Sequence, residues 1–151
     1  MTSEETIRHL NDLIEVALDG EHGYTAAATH VQDPHFQTVF TEEATHRSAF
    51  VKELRTQVER LGGEPTESGT LQASVHRGWL DLKSAVSGGA SEGVIAACET
   101  GDDFALAAYE RVANLAITGE ARTVVEKQMN QIRQAHQRLL NLSSRPGHHP
   151  V

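Results

Sequence analysis

Glutamate and histidine recur at helical spacing in the middle of apolar rows, and that pattern is the chemistry to account for first. Glu43-Ala-Thr-His46 sets a carboxylate and an imidazole three residues apart, which is one face if the segment is helical. Glu21, Glu99 and His136 each interrupt another apolar row. Carboxylate oxygen with imidazole nitrogen suits iron, manganese or zinc better than calcium. Several buried acids lose hydration and repel one another, so a positive charge must accompany them. A divalent metal supplies it. The pattern therefore predicts a core site of Glu21, Glu43, His46, Glu99 and His136, holding one ion or two. Tyr24 and Tyr109 are the hydroxyls beside it, Asp102 and Asp103 its supporting carboxylates, and Arg133 the neighbouring cation.

The same residues admit a metal-free reading. Glu43 can pair with Arg47 one turn on, and the other acids with tyrosine hydroxyls. Arg133 stands three residues before His136, where a second Glu-x-x-His would need its glutamate. As a built-in cation it would pair with Glu99 or Asp103.

Helices are what would position these groups. The row Ile7, Leu10, Ile14, Ala17, Glu21, Tyr24, Ala28, Val31 steps by threes and fours, the mark of one buried helical face. It predicts a helix from Ser3 to Val31, with Ser3 as its cap. Asp33-Pro34 restarts a helix that runs to Leu61 and stops at Gly62-Gly63, with Val39, Glu43, His46, Phe50 and Leu54 on its inner row. A helix over 70–86 carries Leu71, Val75, Trp79 and Leu82. Another spans 91–118, with Ile95, Glu99, Asp102, Leu106 and Tyr109 in a row. The last covers 120–142, with Val125, Met129, Ile132, His136 and Leu139. At ~1.5 Å per residue, each hairpin brings its polar groups to a matched depth. Glu21 then lies level with Glu43 and His46, and Glu99 with His136. Two antiparallel hairpins joined by a long connection make an up-down four-helix bundle over residues 1–142, the extra helix lying in the crossover. Residues 143–151 form a tail.

Composition narrows the function classes. The chain has 151 residues and a net charge of -8. That acidity disfavours a phosphate-backbone partner, and no apolar run is long enough to span a bilayer. Cys98 is the single cysteine, which excludes an internal disulfide and a cysteine zinc knuckle. The N-terminal stretch lacks a signal-peptide core, so a cytoplasmic protein is expected. No phosphate-binding glycine loop or nucleophile elbow is present.

The arrangement resembles the ferritin-like superfamily. Glu21, Glu43-x-x-His46, Glu99 and His136 stand on successive long helices, as in that superfamily's metal sites. Within it, the chain resembles a number-named bacterial DUF family of four-helix bundles, through Leu10-Asn-Asp-Leu-Ile14, Asp19-Gly-Glu-His-Gly-Tyr24, Glu99-Thr-Gly-Asp-Asp-Phe104 and Ala107-Ala-Tyr-Glu110. The resemblance covers residues 5–142. It implies iron as the metal, with manganese or zinc as substitutes, iron oxidation, iron handling or peroxide defence as the activity, and a dimer or larger homo-oligomer. Arg133 departs from the pattern and puts a second metal position in question. The alternative is a metal-free bundle acting as a structural or stress-associated interaction protein.

Overall fold

The computed structural model describes residues 1–67 and 91–143, and these form four α-helices. They are α1 (Ser3–His30), α2 (Pro34–Arg60), α3 (Ser91–Ala113) and α4 (Gly119–Ser143). The expected crossover helix over 70–86 and the tail beyond 143 lie outside the described residues.

Local chemistry sets the boundaries. Thr2, not Ser3, caps α1, its hydroxyl accepting from the Glu5 amide at 3.1 Å and donating to the Glu5 carboxylate at 3.0 Å. The hydroxyl thus satisfies one of the free amides of the first turn. Asp33 caps α2 by accepting from the His35 amide at 2.8 Å, and Pro34 fills the first helical position. Past Leu61 the chain turns at Gly62, whose φ of 86° suits a residue without a Cβ. Helix α3 ends at Ala113, short of the expected 118. The chain leaves helical geometry there and tucks Ile117 into the core at 2% exposure, before Gly119 (φ 68°) opens α4.

Helix α1 packs beside α2 and α3, and α4 beside α3 and α2. The diagonal partners are therefore α1 with α4 and α2 with α3. Gln57 and Arg60 meet Glu120, Lys127 meets Glu53, and Arg138 meets Glu43, so α2 and α4 run antiparallel. Since α4 also returns antiparallel along α3, α2 and α3 run in the same direction. Leu61 and Ser91 then lie at opposite ends of the bundle, the connectivity of a long crossover.

The apolar core has two parts. One holds Leu10, Ile14, Phe50, Leu54, Tyr109, Val125 and Ile132; the other holds Tyr24, Phe36, Phe40, Ile95, Cys98 and Leu139. Charged side chains separate them. Glu43, Arg47 and Asp102 are 4%, 1% and 0% exposed, well below what such residues tolerate without partners.

Candidate functional site

Each helix contributes to this central layer. Helix α1 supplies Gly20 and Tyr24, α2 supplies Glu43 and Arg47, α3 supplies Asp102, and α4 reaches in with Arg138. Arg47 is the hub. Its Nη2 donates to Asp102 Oδ1 at 2.9 Å, across the bundle diagonal, and lies 3.5 Å from Glu43 Oε1. The Tyr24 hydroxyl donates to the other Asp102 oxygen at 2.5 Å. Arg138 Nη2 donates to Glu43 Oε2 at 3.0 Å. The guanidinium also lies over the Tyr24 ring, 5.1 Å from its centroid, and 6.0 Å from that of Phe50, where the ring faces attract a cation.

Gly20 makes room for that guanidinium. A Cβ on residue 20 would stand 2.9 Å from Arg47 Nη1. The backbone of α1 thus lies directly against the buried cation. Arg47 Nε is buried without a hydrogen-bond partner.

Burial and charge oppose each other here. Burial raises the Asp102 carboxyl above its usual range, while Arg47 and the Tyr24 hydroxyl pull it down. Burial also drives the Tyr24 hydroxyl well above its ordinary value, and Asp102 adds to that. For Arg47, burial lowers the pKa, but Asp102, Tyr24 and Glu43 outweigh it and hold the guanidinium above its ordinary value. Arg47 is therefore a permanent buried cation. Glu43 and Asp102 supply two carboxylates, and Arg47 and Arg138 two guanidiniums, so the layer balances its own charge.

A second polar bridge lies on the α2/α4 side. The Tyr109 hydroxyl donates to Gln128 Oε1 at 2.7 Å, and the Gln128 amide donates to the Phe50 carbonyl at 3.2 Å and to Glu53 at 3.1 Å. Gln128 is fully buried, and these bonds occupy both ends of its amide.

The residues expected to ligate metal do not converge. Glu43 alone among them is in the central layer. His46 is half-exposed and meets Glu43 at 3.3 Å from the outer side, while the next residue, Arg47, points inward. Glu21 lines a cavity of about 410 Å³ on the outer α1/α2 surface, with Thr25, Thr41, Thr45 and Lys52. Glu99 is half-buried; Asp102, three residues on, takes the inward place. His136 meets the exposed Asp103 at 3.3 Å at the edge of the bundle, its Nδ1 buried without a partner. Arg133 lies on the surface, 4.0 Å from Glu110, and does not reach Glu99 or the centre. Among the described residues no three His, Cys, Asp or Glu side chains stand close enough together to hold an ion.

The donor set at the centre also argues against a metal there. The two carboxylates that face each other already share one cation, the Arg47 guanidinium. An ion placed between them would displace that group or add its own charge beside it. The residues present do not fit the core metal that the ferritin-like pattern implies. Arg138, Gln128 and Gly20 escaped the sequence reading. For Gln128 and Gly20 the signal was position alone, since each lies on a buried row of strict three-and-four spacing; Arg138 is exposed and enters from the rim.

A sequence profile of the family described as "Domain of unknown function (DUF2383)" matches residues 5–115. No curated protein matches the chain. Among solved structures it is similar to the bacterioferritin-related protein of Bacteroides fragilis, described as a dodecameric thioferritin. The TM-score is 0.71 at 15% identity, over 93% of this chain and 85% of that one. At that identity the likeness establishes the fold and nothing finer.

Proposed function

The chain belongs to the DUF2383 family and has the ferritin-like four-helix fold, and from that premise we propose that it acts by association, as a helical interaction module whose core charge is balanced by Arg47 and not by a metal. One observation carries this reading: the Arg47 guanidinium, 1% exposed, between Asp102 and Glu43. A guanidinium is always charged and presents a rigid fork to carboxylates. It supplies what a divalent ion supplies in a carboxylate-lined bundle, without open coordination positions or redox chemistry. The function then falls to the outer surfaces, and self-association has its precedent in the dodecamer of the Bacteroides fragilis protein.

Iron handling is the competing reading. That neighbour's description as a thioferritin favours it, and its starting donors here would be Glu43 and the half-exposed His46. Anaerobic loading with ferrous iron, desalting and metal analysis separate the two. Association predicts retained iron far below one ion per chain. It also predicts an assembly size, by light scattering, that is the same with and without chelator. Retention near one ion per chain, abolished by Glu43→Ala, overturns it.

A further inference from the structure

We propose that the outer seam between α1 and α2 is a self-complementary interface, and that its occupant is the same seam of a second copy of this chain. The proposal rests on the reading of the protein as an association module and names the surface through which it associates. Two adjoining cavities of about 410 and 330 Å³ run along this seam and share Thr25, Thr41 and Ala44. Ala28, Thr45 and Ser48 continue the lining. Side chains this small allow another helix a close approach. The seam is also cheap to take out of water. The hydroxyls of Thr25, Thr29 and Thr45 donate to the carbonyls of Glu21, Thr25 and Thr41 at 2.7, 2.9 and 3.0 Å. With those donors satisfied inside each helix, an apposed surface need not supply partners for them, and burying them leaves none unpaired.

Charge selects the occupant. Glu21 and Lys52 line the same cavity, and among the described residues neither meets an opposite charge within ion-pair distance. Tyr24 packs against Phe40, which puts Glu21 level with Glu43. Lys52 then lies about nine residues, or roughly 13 Å, further along α2. A two-fold axis through the seam near Ser48, midway between those levels, lays α1 of each copy over α2 of the other. Glu21 of each copy then meets Lys52 of the other, and the contact is made twice, as an isologous interface demands. The net charge of -8 repels a second copy in general, so an opposite-charge pair at the contact fixes where two copies can meet.

The test uses the full-length chain and reads its assembly by sedimentation equilibrium. The wild type should associate reversibly. Glu21→Lys and Lys52→Glu each turn two attractions into two repulsions, and each should raise the Kd of self-association by about tenfold or more. Combined in one chain they restore opposite charges, and the Kd should return to within about threefold of the wild type. Both side chains line an open groove, so helical content by circular dichroism should be the same in all four proteins. Ser48→Cys, close to the axis, should cross-link two copies on oxidation, and Glu21→Lys in the same chain should suppress that. A wild type that is monomeric at every concentration overturns the proposal. So does an assembly that both single reversals leave unchanged, or one that the double reversal fails to restore. Failure of the underlying reading is seen separately, as iron retained near one ion per chain.

Discussion

Replacing Arg47 by Met tests the account of the core most directly. Met keeps much of the length and packing of the side chain but removes its charge and donors. Glu43 keeps Arg138 at 3.0 Å, but Asp102 keeps only the Tyr24 hydroxyl. A buried carboxylate deprived of its cation costs about 3–5 kcal/mol. That is a large share of the roughly 5–15 kcal/mol that holds a domain of this kind together. At about 2–4 °C per kcal/mol for a chain of this size, the melting temperature should fall by about 6–20 °C at neutral pH.

The loss should depend on pH with a definite sign. Burial already places the Asp102 carboxyl above its ordinary value in the wild type. Removing Arg47 takes away the charge that opposed this, so it rises further. A carboxyl raised in the folded state favours folding while protonated, and that contribution is lost as pH rises through the folded value. The gap between wild type and Arg47→Met should thus be widest at neutral pH and close on acidification. Asp102→Asn in the Arg47→Met background should recover part of the loss at neutral pH. Thermal unfolding of the three proteins across pH measures all of this. A loss of the same size at acid and neutral pH, or no recovery from Asp102→Asn, refutes the reasoning.

Other consequences are more local. Tyr109→Phe leaves the Gln128 oxygen without its 2.7 Å donor and should cost about 1–3 kcal/mol in denaturant unfolding. His46→Ala should change stability by less than about 0.5 kcal/mol, because the ring is half-exposed and Glu43 keeps both arginines; a loss above 2 kcal/mol would place the imidazole in the core. Cys98 is fully buried, and burial, with Asp102 adding to it, raises its thiol well above the ordinary value. A disulfide reagent at neutral pH should therefore label the folded protein only as fast as it opens, and labelling at the rate of the unfolded chain would show that the core is not closed.

Helix ends were legible in the sequence because they depend on local chemistry. Asp33-Pro34 and Gly62 mark them with residues whose backbone preferences do not depend on the rest of the chain. The end of α3 was not legible. Residues 114–118 contain no glycine or proline before Gly119, yet the helix ends at Ala113 and Ile117 is buried in the core beyond it. That is a tertiary gain, which no local window contains. Depth along the bundle was legible too. Gly20 lies against Arg47, and Tyr24 against Phe40 with ring centroids 5.9 Å apart, close to the levels that hairpin arithmetic assigned.

Direction around each helix was the illegible part, and it decided the chemistry. Four of the five expected ligands sit one residue away from the one that is buried: Glu21 beside Gly20, His46 beside Arg47, Glu99 beside Cys98, His136 beside Ala135. One residue is about 100° of rotation, enough to carry a side chain from the axis to the rim. Rows of three-and-four spacing leave that choice open, because i+3 and i+4 lie on either side of the same line. On α2 the choice fell between His46 and Arg47, and it is Arg47, the cation of the metal-free reading, that lies buried beside Glu43 while His46 is half-exposed. The charge balance pointed the same way. Inward acids at Glu43 and Asp102 demand a buried cation, and Phe36, Phe40, Glu43, Arg47, Phe50, Leu54 is an unbroken alternating row that supplies one. In a bundle of this kind, a long basic residue on such a row, one turn from an inward acid, has to be excluded before metal ligands are assigned to its neighbours.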